Sequence, residues 1–197
     1  QYPISAGVPA LRAAIAAKVE RLYGHAYDPE REVTVTTGAT QGIFTSIQAL
    51  AHPGDEVILF EPAYDSYIPA IQLAGATPVI VQTSPEDGFA IHPEAILAAV
   101  SARTKAIIIN SPSNPAGALI SEEDLAVIAD EAARRGIWVI ADLTYERLIY
   151  DPVAHNLPRV LIDRLPDRSV ICSAASKAYA MTGWRCGWTI GPSTFVA

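Results

Sequence analysis

AIIINSPSNPAGALISEEDLAVIADEAARRGIWVIADLTY, residues 106–145, contains one complete strand–helix–strand pattern. Ala106–Ile109 and Ile137–Ala141 are short, apolar and rich in β-branched residues, as expected of strands buried on both faces. Between them Glu122–Arg135 has helical periodicity, with Ser121 as N-cap, Asp124 completing a capping-box-like pair and Gly136 as the stop. The unit predicts two neighbouring parallel strands joined by a crossover helix. Polar residues follow each strand directly: Asn110 to Pro115 after the first, and Asp142 to Tyr145 after the second.

The same alternation extends in both directions. Further strand-like runs lie at Val33–Thr36, Val57–Phe60, Pro78–Gln82, Ser169–Cys172 and Cys186–Ile190. Pro9 to Tyr23 reads as a helix, with Leu11, Ile15, Val19 and Leu22 at helical spacing, Pro9 in the first turn and Gly24 at the end. The expected fold is α/β: three layers, α/β/α, around a mainly parallel seven-stranded sheet. The segment between Lys177 and the last strand is short for a crossover, so that strand is expected to run antiparallel.

Composition narrows the function. The chain has 197 residues, half of them hydrophobic, and a net charge of −7, which disfavours a nucleic-acid-binding surface. No apolar run approaches the roughly 18 residues that a membrane span needs. Cys172 and Cys186 are too few for a disulfide scaffold, and the four histidines show no metal-ligand spacing, so no protein-bound metal is expected. A reducing, cytoplasmic setting is the default expectation. The chain begins at Gln1 with no basic-then-apolar leader, which predicts no signal peptide. It ends at Ala197 soon after a strand-like segment, which predicts a piece of a longer polypeptide.

Five clusters fall at the carboxyl ends of predicted strands, where open α/β sheets bind ligands. They are Thr37-Gly38-Ala39-Thr40, Glu61-Pro62-Ala63-Tyr64, Asn110 to Pro115, Asp142 to Tyr145, and Ser173 to Lys177. Taken singly, each has an ordinary reading: a lysine after a strand is a surface residue, an Asp a turn residue, an Asn-Pro a turn. The chain has three lysines. Lys18 and Lys105 read as surface residues, whereas Lys177 follows a buried-type strand. A lysine that attacks carbonyls must be shielded and partly neutral. Asp142 is suited to holding a proton on a heteroaromatic nitrogen, and Tyr145 to donating a hydrogen bond in the same pocket. Gly38, Ala39 and Thr40 open a helix whose N–H groups suit a phosphate, and Arg185 is able to join them. Tyr64 is placed to stack on a planar ring. Independent surface accidents would not all fall at one sheet edge.

The ordered set Gly38-Ala39-Thr40, Pro62-Ala63-Tyr64, Asn114-Pro115-Ala116-Gly117, Asp142-x-x-Tyr145, Ser176-Lys177 and Gly183-Trp184-Arg185-Cys186-Gly187 resembles the class I/II aminotransferases, which are fold-type I pyridoxal-phosphate enzymes. The resemblance covers about Tyr2 to Gly191. It implies pyridoxal 5'-phosphate as cofactor, with Lys177 as the catalytic residue forming a Schiff base and moving the proton. Asp142 would pair with the ring nitrogen, Tyr145 and Asn114 would bond the phenolic oxygen, and Tyr64 would stack on the ring. Asn114 would also touch the substrate carboxylate. Gly38, Ala39, Thr40, Arg185 and a serine would hold the phosphate; Ser173 and Ser176 are the candidates, and Ser176 is preferred because it adjoins the lysine. Tyr2 would reach the phosphate of a neighbouring subunit's cofactor, which implies a homodimer. The substrates implied are an amino acid and a 2-oxo acid. Residues 1–197 would form the central part of the cofactor-binding large domain, without the N-terminal arm and the small C-terminal domain. Two rival readings stand beside this one: another fold-type I reaction, such as a C–S lyase or a synthase, and the aminotransferase-like effector domain of a transcription regulator.

Overall fold

The computed structural model describes residues 4–150 and 156–196. In chain order the elements are α1 (Pro9–Tyr23), β1 (Val33–Thr37), α2 (Gly38–Leu50), β2 (Glu56–Glu61), α3 (Tyr67–Leu73), β3 (Thr77–Gln82), α4 (Pro93–Ala99), β4 (Thr104–Asn110), α5 (Glu122–Arg135), β5 (Trp138–Asp142), α6 (Leu157–Arg164), β6 (Ser169–Ala174), α7 (Ala175–Ala178), β7 (Cys186–Ile190) and α8 (Ser193–Val196). The seven strands form one sheet in the order β1-β7-β6-β5-β4-β2-β3. The pairs β2–β3, β2–β4, β4–β5 and β5–β6 are parallel. β7 runs antiparallel to both β1 and β6, as its short approach predicts.

Alternation along the central strands separates two apolar layers. Ile107, Ile109, Val139, Ala141 and Ile171 face one side, where they pack with residues of α1, α4, α5 and α6. Ala106, Ile108, Ile140, Val170 and Cys172 face the other, with α2, α3 and Phe195 of α8. Both faces are covered, which is why these strands read as continuous apolar runs rather than alternating ones. α5 is capped as expected: the Ser121 hydroxyl accepts from the Asp124 N–H at 2.9 Å. Among the described residues no helix is long and apolar enough to cross a membrane.

Most strand bounds shift by one or two residues, as with β4, found at Thr104–Asn110 where Ala106–Ile109 is expected, and two changes matter more. β6 continues to Ala174 instead of stopping at Cys172, because Ser173 and Ala174 still pair with Trp188 and Gly187 of β7. Lys18 is no ordinary surface residue. Its side chain is only 13% exposed, pairs with Glu146 at 3.3 Å and lies over the Trp188 ring at 4.9 Å. Tyr23 donates to the other oxygen of the same carboxylate. A cluster of apolar and charged groups therefore ties α1 to the loop after β5. Arg12 is buried nearby, and its Nε donates to the Val33 carbonyl at 2.9 Å.

Candidate active site

The parallel strands bring the ends of β1, β2, β4, β5 and β6 to one edge of the sheet. The reversed β7 starts at that edge, so Arg185, just before it, joins them. A cavity of about 260 Å³ opens there. Its walls include Ala39, Thr40, Tyr64, Asn114, Asp142, Tyr145, Ser176, Lys177 and Arg185. Nearly every residue singled out in the sequence is thus gathered in one place from six chain segments. Gly38 lies directly beneath, at the start of α2. Tyr2 lies outside the described residues.

The turn from β1 into α2 is set by two glycines. Gly38 has a φ of +78°, and a Cβ there would come within 2.8 Å of Arg185 Cζ. The guanidinium therefore occupies space that any side chain at position 38 would fill. Gly187 lies where β7 passes so close to the turn that a Cβ would sit 2.6 Å from the Ala39 nitrogen and 2.8 Å from Gly38 Cα. Thr36 Oγ1 donates to the Gly38 carbonyl at 2.9 Å. The free N–H groups of the first turn of α2 and the Arg185 cation consequently share one corner of the cavity, an electropositive site for an anion. Arg185 Nη1 is held by the Thr182 carbonyl at 3.1 Å.

At the end of β5 the Asp142 carboxylate is 5% exposed and carries three donors. Oδ1 accepts from Thr144 N–H at 3.0 Å and Thr144 Oγ1 at 2.6 Å; Oδ2 accepts from the Tyr67 hydroxyl at 2.7 Å. A carboxylate offers about four acceptor positions, so one remains, on Oδ2. Burial pushes the Asp142 carboxyl above the usual carboxylate range, and the Thr144 and Tyr67 bonds work against that rise. Burial, then the adjacent Asp142, pushes the Tyr67 phenol well above its usual range. Cys172, opposite Asp142 in β6, is also raised by burial.

Asn110, which pairs with Asp142 across β4 and β5, fixes the next wall. Its amide donates to the Asp142 carbonyl at 3.0 Å, and its Oδ1 accepts from the Asn114 N–H at 2.7 Å. The Asn114–Pro115 peptide bond is cis. Tyr64 bonds Thr40 through their hydroxyls at 3.3 Å and meets Tyr67 edge-on, with centroids 5.6 Å apart. Lys177 lies in the one-turn helix α7, half-buried, with Nζ 5.5 Å from the centre of the Tyr145 ring. Of the two candidate serines, Ser176 lines the cavity, whereas Ser173 is buried within β6.

Tyr67 is not singled out in the sequence, and Asn110 and Thr144 enter it only as members of the strand-end clusters, with no role of their own. Thr144 had a local signal, since an Asp followed two residues later by Thr favours an Asx-type turn. Tyr67 had none, because its partner lies 75 residues away.

Comparison with known proteins places the chain in a family. The family model described as aminotransferase class I and II matches residues 1–197. A probable N-succinyldiaminopimelate aminotransferase DapC of Mycobacterium tuberculosis is 46% identical over 198 residues, a match that covers all of this chain and 50% of that protein. A probable aspartate/prephenate aminotransferase of Thermus aquaticus is 41% identical over 196 residues, again covering all of this chain and 50% of the relative. The solved structure of N-succinyldiaminopimelate aminotransferase from Mycobacterium tuberculosis superposes with a TM-score of 0.94 at 45% identity, covering all of this chain and 51% of that one. YbdL from Escherichia coli, whose structure is described with a methionine aminotransferase function, gives a TM-score of 0.91 at 38% identity with the same coverage. The chain spans about half the length of the curated relatives it matches.

Proposed function

Because the chain belongs to the class I and II aminotransferase family, we propose that its protein transfers an amino group between an amino acid and a 2-oxo acid with pyridoxal 5'-phosphate as cofactor. We propose further that residues 1–197 are the central part of the cofactor-binding large domain, that the whole protein works as a cytoplasmic homodimer, and that Tyr2 serves the partner's site.

The observation that carries the reading is the Asp142 carboxylate, buried and hydrogen-bonded by its own chain at every acceptor position but one. A lone remaining acceptor on a shielded carboxylate suits the N–H of a protonated heteroaromatic ring. The space at Gly38 filled by Arg185 and the free N–H groups of α2 suit a phosphate at the other end of the same cavity. The residues present therefore fit the group.

Pyridoxal phosphate, when bound, supplies a carbonyl that captures amines and a ring that draws electrons from the substrate. The chain's residues do the rest. The backbone of Ala39 and Thr40, Arg185 and Ser176 would bind the phosphate. Asp142 would hold the proton on the ring nitrogen. Tyr145 and Asn114 would donate to the phenolic oxygen, Asn114 would meet the substrate carboxylate, and Tyr64 would cover the ring face. Lys177 would hold the cofactor through its amine, then move the proton between the substrate α-carbon and the cofactor.

The test uses the full-length protein. After loading with pyridoxal phosphate, borohydride should fix the label on Lys177; a label on Lys18 or Lys105 would refute the assignment. Amino transfer should be assayed with a donor panel that includes N-succinyldiaminopimelate and aspartate, the compounds in the relatives' names. Release of free ammonia, with no amino group passed to the acceptor 2-oxo acid, would point instead to a lyase.

A further inference from the structure

The functional reading leaves Tyr67 without a role, although it touches two of the residues that the reading depends on. Tyr67 is the first residue of α3 and is 3% exposed. A buried phenol needs an acceptor, and a backbone carbonyl would serve. Its hydroxyl instead reaches the one carboxylate that lines the cavity among the described residues, 2.7 Å from Asp142 Oδ2. Its ring meets the edge of Tyr64 at 5.6 Å, and Tyr64 bonds Thr40 at the mouth of α2. One side chain thus braces two walls of the cavity from the α3 side.

We propose that Tyr67 is a positioning residue which, with Thr144 on the opposite oxygen, clamps the Asp142 carboxylate so that a single Oδ2 acceptor stays free for the cofactor's ring nitrogen. The proposal rests on the reading of the site as a pyridoxal-phosphate site. Without a clamp, the carboxylate would rotate about its terminal torsion, which is broad and roughly two-fold. Either oxygen would then face the cavity. Thr144 fixes Oδ1 through two donors on the chain's own turn. Tyr67 fixes Oδ2 from a different element, so the carboxylate plane is defined at both ends.

The charge on Asp142 is served by the same bonds. The titratable and charged groups around it are Tyr67 from α3, Cys172 from β6, and Tyr64, Tyr145, Lys177 and Arg185 in the walls of the cavity. Tyr67 and Cys172 are both raised above their usual ranges and stay protonated at neutral pH. Neither competes as an anion. Hydrogen bonds from Tyr67 and Thr144 favour the ionised carboxylate against the burial that opposes it.

The experiment compares wild type, Tyr67→Phe, Thr144→Val, Asp142→Asn and the Tyr67→Phe/Asp142→Asn double variant, all in the full-length protein. One readout is the equilibrium dissociation constant of pyridoxal phosphate for the apo-protein. The other is the ¹⁵N resonance of the ring nitrogen in ¹⁵N-labelled cofactor, which reports its protonation whether or not the enzyme turns over. Tyr67→Phe should weaken cofactor binding by about 10-fold or more, the scale of one hydrogen bond to a charged group. It should also move the ring-nitrogen signal toward the unprotonated position. Thr144→Val should move that signal the same way, which keeps the test decisive if the Tyr67 variant is too unstable to purify. Adding Tyr67→Phe to Asp142→Asn should change binding less than about 2-fold, because the carboxylate it acts on is already gone. Wild-type affinity and an unmoved signal in both single variants would overturn the proposal. So would losses that multiply in the double variant, since a bracing role for Tyr67 independent of Asp142 would add. If the wild type takes up no cofactor, the functional reading fails and this inference fails with it. Uptake with unaffected single variants sinks the inference alone.

Discussion

Gly187 has no side chain to contribute, yet the anion corner depends on it. A Cβ there would press on the Ala39 nitrogen at 2.6 Å and Gly38 Cα at 2.8 Å, both main-chain atoms that cannot swing aside. Gly187→Ala should therefore cost about 1–3 kcal/mol in urea denaturation, the usual scale of overpacking. It should also weaken cofactor uptake, because the first turn of α2 would have to move away from Arg185. Asp142→Asn makes a different prediction, since the amide is the same size. In the full-length enzyme, amino transfer should fall several hundredfold, about 3–5 kcal/mol for leaving a buried charge unpaired. The apo-protein should respond in the opposite sense. Burial raises the Asp142 carboxyl in the folded state, so the folded form binds its proton more tightly than the unfolded chain. That stabilisation is complete below the ordinary carboxylate value, near about pH 4, and is lost as pH rises through the raised value. Asparagine has no proton to lose. Thermal melts of the apo variant should lack this decline, and at neutral pH the variant should melt no lower than wild type.

At the scale of elements, α5 offers a clean separation of stability from function. Ser121 satisfies an N–H of its first turn at 2.9 Å, and no α5 residue lines the cavity. Ser121→Ala should lower stability by about 1 kcal/mol in chemical denaturation and leave amino transfer by the full-length protein unchanged. This helix was legible in the sequence to the residue, as was α1, because caps and stops are local and written within a few positions of each end. The strands were legible from their apolar β-branched runs, and the site from the polar residues that follow them. The misreadings that matter to the site involve distance along the chain. β6 runs two residues past Cys172 because β7 continues to pair with it, and that partner is not visible from the β6 sequence. Lys18 reads as solvated by helical periodicity, but its carboxylate partner Glu146 is 128 residues away. Tyr67 sits three residues after Tyr64 in a stretch with no sign that its hydroxyl turns inward. Local pattern sets which elements form and where their polar ends lie. The contacts that orient those polar ends come from other elements.

For the whole molecule, the described residues form one seven-stranded sheet. Leu73, Tyr179 and Trp184 are each more than half exposed, apolar surface that favours association when the chain stands alone. Residues 1–197 expressed by themselves should show no measurable amino transfer beside the full-length protein, assayed with the same donors. Holding substrate in register accounts for roughly 7–11 kcal/mol of a barrier, and the chain spans only about half of its relatives. Turnover equal to that of the full-length protein would show that this half is sufficient. The sheet order also governs the timing of assembly. Among the described residues β1, the first strand in this chain, has β7, the seventh, as its neighbour, with Thr37 opposite Cys186. During synthesis the first strand must wait for about 150 further residues, on the order of 10–30 s at typical elongation rates. Pairing across so long a span is intrinsically slow. A nascent chain halted just short of Arg185 already contains Asp142 and Lys177, but neither the cation nor the strand that closes the turn at Gly38. The anion corner is thus assembled only once Arg185 and β7 have been made, well after the turn at Gly38 that they complete.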